Sequence, residues 1–205
     1  MTDRWQAPSS AGLDAAAEAI RAGELVVFPT ETVYGLGADA TDEAAIERVF
    51  EAKGRDRSEP ISLAVPDVGR AIDFVEPTER ERAFMRAFLP GPVTVVVAKR
   101  TPVPDVLTGG RERVGVRIPD HAVALRLLER VSPITATSAN VSGRPAVTRP
   151  ADLDPEIADV AAVLLDDGET PGTGSTVVDV AAGEIIRRGQ RAAAVADWLE
   201  ERDEV

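Results

Sequence analysis

Short runs of β-branched residues alternate along the chain with segments that carry a helical apolar pattern. The clearest run is Val93–Ala98 (VTVVVA), whose composition favours a buried strand. Asp42–Lys53 instead spaces its apolar residues along one helical face, and Gly54 follows as a stop. This alternation predicts the α/β class, with a twisted mixed β-sheet and flanking helices.

The same patterns place the other elements along the chain. The predicted strands are Leu25–Phe28, Ile61–Val65, Val93–Ala98, Val114–Ile118, Ile134–Thr137, Val160–Leu165, Thr176–Val180 and Glu184–Arg187. The predicted helices are Leu13–Arg21, Asp42–Lys53, Asp67–Phe74, Thr78–Phe88, Ala122–Val131 and Ala192–Glu201.

The 205 residues form one domain in this interpretation. No repeat recurs at a fixed period, and the most linker-like stretch, Glu169–Gly174, is too short to separate two domains. A chain of this length can bury roughly 70% of its unfolded surface, so it needs no disulfide or structural metal to fold.

The charge balance is the most unusual property of the composition. There are 35 acidic residues against 23 basic ones, and the bases comprise 21 Arg and only 2 Lys. Two explanations stay open: ordinary drift of the surface, or adaptation to a salty cytoplasm, where the Debye length falls to about 3 Å at 1 M salt. A net charge of −12 should repel nucleic acid and anionic membranes, so any phosphate chemistry requires a local basic cluster.

Several classes of protein are excluded by the sequence. The absence of Cys removes disulfides, thiolate nucleophiles and zinc fingers. We expect no membrane association, because the N-terminus does not resemble a signal peptide and no stretch approaches the ~20 apolar residues needed to span a bilayer. The cytoplasm is the expected compartment. Neither GxxxxGK[ST] nor a GxGxxG after a strand occurs, and no acidic spacing indicates a metal site.

Three polar segments follow predicted elements in a way that suggests a binding site. Pro29–Gly37 (PTETVYGLG) follows a strand, although its hydroxyls could simply bond their own turn. Lys53-Gly54-Arg55 stands at the end of a predicted helix. Its cations could simply interact favourably with the helix dipole, or the compact ammonium of Lys53 could bind a phosphate. Thr137–Gly143 (TSANVSG) follows a predicted strand and carries uncharged hydroxyl and amide donors. These donors could bind a phosphate or an amino acid, or the segment could be an ordinary polar loop.

Two arginines stand within apolar strands, at Arg117 and Arg187. A guanidinium in such a place should either pair with a buried acid or point at a ligand. His121 is the single His and is interpreted as a helix-terminus residue rather than a catalytic base.

Seven motifs occur together in a characteristic order: PTETVYGLG (29–37), KGR (53–55), PGPVT (90–94), VGVRIPDH (114–121), TSANVSG (137–143), GSTVVD (174–179) and IRRG (186–189). In this order they resemble the signature of the YrdC-like threonylcarbamoyl-AMP synthase family, in its short single-domain form. The resemblance implies an N-terminal segment at 1–11, a YrdC-like catalytic domain at 12–190, and a C-terminal helix with an acidic tail at 191–205.

The family condenses L-threonine, bicarbonate and ATP into threonylcarbamoyl-AMP and pyrophosphate, for N6-threonylcarbamoyladenosine modification of tRNA. The resemblance therefore implies ATP as substrate, Mg²⁺ held mainly by the triphosphate, and possible contact with tRNA and downstream threonylcarbamoyl-transferase proteins. It implies catalytic roles for Lys53 and Arg55. It places threonine at Thr30, Tyr34, Arg117, Ser138 and Ser175. It places ATP at Lys53, Arg55, Ser138, Asn140, Ser142 and Arg187, with no protein-bound metal.

The chain departs from the family pattern in places. Glu59 precedes Pro60 where relatives carry a neutral Asn or a Lys, and we expect its carboxylate to face away from the triphosphate. Ala64 stands where longer relatives have His, Thr137 replaces a Pro, and Ala146 replaces a Ser.

Two other functions remain open at this point. One is an RNA- or tRNA-binding YrdC-like paralogue without synthase activity, and the other is a related carbamoyl-AMP activity. The synthase interpretation further predicts that five bases converge on one cavity: Lys53, Arg55, Arg117, Arg144 and Arg187.

Overall fold

The computed structural model describes residues 5–6 and 8–201, and residues 5–6 only in their backbone. Its strands are β1 (Trp5–Gln6), β2 (Leu25–Phe28), β3 (Gly35–Gly37), β4 (Ser62–Ala64), β5 (Val93–Ala98), β6 (Arg113–Arg117), β7 (Ile134–Ser138), β8 (Ala161–Leu165), β9 (Thr176–Asp179) and β10 (Glu184–Arg187). Its helices are α1 (Ser10–Arg21), α2 (Glu43–Lys53), α3 (Val68–Ala71), α4 (Glu79–Phe88), α5 (Asp105–Thr108), α6 (Ala122–Leu128), a 3₁₀ turn (Pro150–Asp152), α7 (Pro155–Val160) and α8 (Ala192–Glu201).

The described strands form one mixed sheet in the order β1-β8-β2-β3-β7-β4-β6-β5-β9-β10. Pairs β1·β8, β2·β8, β4·β6 and β5·β9 are parallel, and the remaining neighbours are antiparallel. The register places Gly35 opposite Ser138 and Thr94 opposite Arg117. Segments far apart in sequence are therefore adjacent in the centre of the sheet.

Helices cover both faces of the sheet. On one face, α1 and α6 bury residues such as Leu13, Ile20 and Leu127 against Val26 and Phe28. The larger core, which includes Phe50, Phe84 and Val95, forms the second cluster. The twisted α/β architecture with flanking helices that the sequence predicts is confirmed.

Helix ends follow the polar residues that mark them in the sequence. The Asp42 carboxylate accepts from the Ala44 N–H (2.9 Å) and begins α2. Gly54 ends α2 with φ of 55°, a left-handed conformation that carries no steric penalty without a Cβ. Thr78 and Glu81 form a reciprocal capping box at the start of α4.

Several predicted boundaries are wrong. The helix expected at Asp67–Phe74 covers only Val68–Ala71. The helix expected at Ala122–Val131 ends at Leu128 because the chain turns there toward β7. Two short helices, α5 and α7, were not predicted, and the strand expected from Val160 begins at Ala161 because Val160 ends α7.

The chain termini are described in part. Within the expected N-terminal segment 1–11, Trp5–Gln6 pairs in parallel with β8, and α1 begins at Ser10. In the C-terminal segment, α8 matches the predicted helix, whereas the end of the acidic tail, residues 202–205, lies outside the described residues. Among the helices described, none has both the length and the apolar character required to cross a membrane.

Candidate active site

Lys53 lies at the last position of α2 and is only 2% exposed. Its ammonium donates to the main-chain carbonyls of Ser138 and, at 2.7 Å, Asn140. The Ser142 N–H donates in return to the Lys53 carbonyl at 2.8 Å. These three bonds fix the end of α2 against the loop that follows β7, which brings two of the predicted segments together.

The surroundings of Lys53 favour the neutral amine. Burial, followed by the positive charge of Arg55, lowers the pKa of Lys53 from 10.5 to about 8. The carboxylate of Asp154 opposes this shift. With this pKa, Lys53 still carries its charge at neutral pH and loses it as the pH rises above about 8.

Arg55 is held along the segment that follows it. Its Nε donates to Glu59 O and its Nη2 to Pro60 O, both at 3.1 Å. Glu59 Oε2 lies 3.6 Å from Arg55 Nη1. The carboxylate of Glu59, four positions on, is therefore attracted to the guanidinium of Arg55. Its orientation relative to a triphosphate stays a prediction.

The loop Ala139–Gly143 presents polar atoms that have no protein partner. The Asn140 amide nitrogen donates to Val141 O and Arg144 O, both at 2.9 Å, which fixes the orientation of the side chain. Asn140 Oδ1 and Ser142 Oγ are buried and have no hydrogen-bond partner among the described residues. Buried polar atoms normally have partners, so these two atoms mark the loop as a candidate binding surface.

Arg117, at the end of β6, is buried and has three partners. Its Nη1 donates to Gly91 O (2.6 Å) and Val93 O (3.2 Å), and its Nη2 donates to Glu31 Oε1 (2.7 Å). The alternative that Arg117 pairs with a buried acid is thus observed. A substrate carboxylate bound through both terminal nitrogens would have to replace one of these contacts.

Arg187, in β10, is more exposed and contacts Ser175. Its Nη2 donates to Ser175 Oγ at 2.9 Å and to Ser175 O at 3.1 Å. Ser175 Oγ also lies 3.4 Å from Thr94 Oγ1, and Thr94 is the cross-strand neighbour of Arg117. This chain of contacts joins the two strand arginines through two hydroxyls.

Four of the five predicted bases influence one another electrostatically. Burial is the main cause of the lowered pKa of Lys53 and of Arg187, and the charge of Arg55 lowers both pKa values further. Burial also lowers the pKa of Arg117, and the charge of Arg187 adds to that shift. The four side chains therefore lie close enough to influence one another. Glu59 lies near Arg55 and Glu31 contacts Arg117, so the cluster is neutralised only in part. A local excess of positive charge is what an acidic chain requires to bind phosphate.

Arg144 does not join this cluster, and that expectation is wrong. Its guanidinium contacts Asp154 (2.6 Å) and Glu156 (3.0 Å), two acids of the α7 region that the sequence did not predict as a helix. The two contacts raise the pKa of Arg144, and the contact with Glu156 lowers the pKa of that acid. The pKa of Asp154 is lowered first by the hydrogen bond from the Val141 N–H and then by Arg144. Arg144 is thus a loop-fixing residue on the surface.

Two hydroxyls predicted to meet threonine are engaged by the protein. Thr30 Oγ1 donates to Val33 O (2.6 Å) and accepts from the N–H groups of Thr32 and Val33 (both 3.2 Å). Tyr34 is buried, and its hydroxyl donates to Gly168 O (2.7 Å) and accepts from Asp167 N (3.2 Å). Both residues therefore shape the turn beside the site.

Two site residues were missed in the sequence. Glu31 contacts Arg117, and Thr94 contacts Ser175. Each carries a weak signal, since an acid between two threonines and a hydroxyl within a run of valines both interrupt the local pattern. His121, as predicted, is a helix-terminus residue, at the N-cap of α6, with Nε2 3.6 Å from Asp167 Oδ2.

A cavity of about 810 Å³ adjoins these loops without including the predicted site residues. Among the residues that line it are Glu24, Arg48, Glu51, Gly54, Val141 and Glu156. In the part of the chain that the structure describes, no group of three or more His, Asp or Glu side chains could hold a metal ion.

Comparison with known proteins gives a consistent result. A family model described as Sua5_yciO_yrdC, telomere recombination, matches residues 18–189. A threonylcarbamoyl-AMP synthase of Pyrococcus abyssi is 44% identical over 181 residues, covering 87% of this chain and 52% of the relative. One from Thiobacillus denitrificans is 37% identical, covering 82% of this chain and 90% of the relative.

Solved structures agree in fold. P. abyssi Sua5 complexed with L-threonine has a TM-score of 0.79 and 41% identity, covering 86% of this chain and 54% of that one. Escherichia coli YciO has a TM-score of 0.83 at 22% identity, over 91% and 94% of the two chains, and shows the fold alone. The chain spans about half the length of its relatives from P. abyssi and Bacillus subtilis.

Proposed function

The chain belongs to the Sua5/YciO/YrdC family, and from that premise we propose that it is an L-threonylcarbamoyladenylate synthase. The reaction joins L-threonine, bicarbonate and ATP into threonylcarbamoyl-AMP, with release of pyrophosphate and water. The observation that carries the proposal is the cluster of Lys53, Arg55, Arg117 and Arg187 in a chain of net charge −12.

The first step forms a carbamate. The neutral amine of threonine attacks the carbon of bicarbonate, a C–N bond forms, and the bicarbonate hydroxyl leaves with an amine proton as water. With the dehydrated form, CO2, the same C–N bond forms and only the amine proton is lost. No covalent enzyme nucleophile is required, which fits a chain without Cys. Arg117, Ser138 and Ser175 hold the amino acid in this proposal, and Thr30 and Tyr34 shape its wall.

The second step transfers the adenylyl group. A carbamate oxygen attacks the α-phosphorus of ATP in line, and the bond to the β-phosphate bridging oxygen breaks. Such a reaction depends on positioning and on charge stabilisation. Lys53 and Arg55 offset the charge that develops on the departing pyrophosphate. Asn140, Ser142, Ser138 and Arg187 hold the nucleotide, and the two unpartnered loop atoms, Asn140 Oδ1 and Ser142 Oγ, supply its polar contacts.

Magnesium enters with the nucleotide as MgATP in this proposal. The cationic side chains of the cluster are unsuited to binding a divalent ion, whereas Mg²⁺ commonly keeps phosphate and water ligands. The protein therefore needs no carboxylate cage at this site.

The product serves tRNA modification in this proposal. Threonylcarbamoyl-AMP is a reactive mixed anhydride, so a downstream transferase that acts on tRNA must consume it. We place the reaction in the cytoplasm, where its substrates and tRNA occur together.

Pyrophosphate release tests the proposed activity. The purified chain is incubated with MgATP, bicarbonate and one amino acid at a time. We expect release with threonine and almost none with valine, because a pocket built to hydrogen-bond a hydroxyl can reject an analogue without it by about 10⁴. Serine keeps the hydroxyl and lacks only a methyl group, so we expect its release to be lower by about 10- to 200-fold.

The RNA-binding alternative predicts another outcome. Measurable tRNA binding without release for any amino acid would show that this chain is a paralogue lacking synthase activity. Release with ATP and bicarbonate that requires carbamoyl phosphate instead of threonine would indicate the carbamoyl-AMP reaction.

A further inference from the structure

Glu31 places a carboxylate oxygen in the site without a protein partner. Its Oε1 accepts from Arg117 Nη2 at 2.7 Å, which fixes the carboxylate. Its Oε2 is buried and has no hydrogen-bond partner within the described parts of the chain. The side chain is 16% exposed. A carboxylate oxygen in such a place requires a donor, and a ligand that carries a positive charge would supply one.

We propose that Glu31 binds the α-ammonium group of the amino-acid substrate through Oε2. This assignment rests on the proposed synthase function and adds a residue to the amino-acid site. The ammonium of a free amino acid has three N–H donors, and one of them suffices for Oε2. Arg117 then acts partly as a positioning residue, since its guanidinium holds the carboxylate that contacts the substrate.

The charges around Glu31 match those of a zwitterion. Arg117 and Arg187 are close enough for the charge of one to lower the pKa of the other, so the region between them is positive. In this proposal the substrate carboxylate lies between the two arginines. Ser175 Oγ, which accepts from Arg187 Nη2 at 2.9 Å, lies at the same place. Glu31 contacts Arg117, one member of this pair, from the turn after β2. The arrangement orients an amino acid by both of its charged ends.

The contact should stabilise the ground state more than the transition state. The ammonium must lose a proton before its nitrogen can attack, and the charge-assisted bond to Glu31 weakens at that moment. An interaction that is lost before the transition state lowers KM and kcat together and leaves kcat/KM unchanged. Replacing Glu31 should therefore raise KM for threonine, raise kcat in proportion where the chemical step limits the rate, and leave kcat/KM nearly unchanged.

The test compares L-threonine with its analogue that lacks the amine, (R)-3-hydroxybutanoate. Binding of each is titrated by ligand-observed NMR at millimolar concentrations, to the wild type and to Glu31→Gln. The Gln oxygen can still accept from Arg117, so the geometry is kept while the charge is lost. We expect the Kd for threonine to rise about 10- to 100-fold and the Kd for the analogue to stay within about twofold.

Glu81→Gln is the matched control. Glu81 is another buried acid that contacts an arginine, Arg113 at 2.8 Å, and it lies outside the site. Its replacement should leave both Kd values unchanged, and the two variants are compared by thermal unfolding.

The outcomes separate the alternatives. Equal weakening of threonine and analogue in Glu31→Gln would show that Glu31 only orients Arg117, and unchanged threonine binding would show that it has no role; either result overturns the proposal. A wild type that binds no threonine would overturn the synthase function itself.

Discussion

Lys53 Nζ lies 2.7 Å from the carbonyl oxygen of Asn140, a residue 87 positions further along the chain. The bond joins the C-terminus of α2 to the loop after β7, and the ammonium thereby fixes the loop that presents Asn140 Oδ1 and Ser142 Oγ. An unbranched side chain with a compact donor fits this buried position. A planar guanidinium is larger and has a fixed donor geometry, which explains why Lys remains here in an arginine-rich chain.

Replacing Lys53 should abolish most of the activity. Lys53→Met keeps the length of the stem and removes the charge beside the phosphates. We expect threonine-dependent pyrophosphate release to fall about 10²- to 10³-fold, the range found when one preorganised donor to a developing charge is removed. The measurement is kcat/KM for ATP at saturating threonine.

Lys99→Met is the matched control for that variant. Lys99 is the other lysine of the chain, and it contacts Asp105 on a different part of the surface. Its replacement should leave pyrophosphate release within about twofold of the wild type, as for substitutions away from a site. A comparable loss in both variants would contradict the assignment of Lys53.

The activity should decrease as the pH rises through the pKa of Lys53. Burial and the charge of Arg55 lower that pKa to about 8, so the free enzyme loses the ammonium above this pH. We expect kcat/KM for ATP to fall above pH 8, and kcat to fall only at higher pH, because bound phosphates stabilise the ammonium. Lys53→Met should lack this falling limb.

The stability of the fold should change in the opposite direction. Between about pH 8 and 10.5 the unfolded chain holds a proton on Lys53 that the folded chain has released, so the free energy of unfolding rises with pH. The pKa difference corresponds to about 3 kcal/mol at most. Urea unfolding of wild type and Lys53→Met across this range isolates the effect, and a difference that is constant with pH would refute it.

Arg187 and Arg144 should differ sharply in their contribution to activity. Arg187 belongs to the cluster that faces the site, whereas Arg144 contacts Asp154 and Glu156 on the surface. We expect Arg187→Ala to lower kcat/KM for ATP at least about tenfold and Arg144→Ala less than about threefold, as charged-contact and surface substitutions typically do. Steady-state kinetics of both variants at one ionic strength provide the comparison.

Gly189 should tolerate no side chain. A Cβ at this position would lie 2.3 Å from Gly174 O and 2.5 Å from Ser175 O, which are backbone atoms that cannot turn aside. Gly189→Ala should therefore displace Ser175 and destabilise the fold by about 1–3 kcal/mol through overpacking. Gly174→Ala, whose Cβ would meet open space, is the control in thermal unfolding. Equal melting temperatures would contradict the close approach.

The sequence predicts elements whose signal is local. β2 and β5 have the predicted bounds because each is a short apolar run, and α2 begins and ends at the residues that its capping pattern indicates. β3 escapes such reasoning because two of its three residues are glycine. Its glycines make room for the ring of Phe28, since a Cβ on Gly35 would lie 2.9 Å from Phe28 Cζ. The contact with Phe28 thus favours a strand at β3, although glycine has a low propensity for strands.

The candidate site also has residues with a local sequence signal and residues without one. The motifs identify Lys53, Arg55 and Arg187, which the fold brings to one region. The pairing of Glu31 with Arg117 spans 86 positions and depends on strand order, so no local pattern reveals it. Arg144 failed as a prediction because its acidic partners belong to α7, a helix that itself was not predicted.

The separation between contacting residues also governs when the chain can first bind a nucleotide during synthesis. The bonds of Lys53 to the loop after β7 span 85 and 87 positions, and Arg187 contacts the site from the last strand of the sheet. Contacts between distant segments form late because long loops must close first. A nascent chain that lacks β10 therefore lacks part of the proposed nucleotide site. We expect ATP to protect only the finished domain against proteolysis.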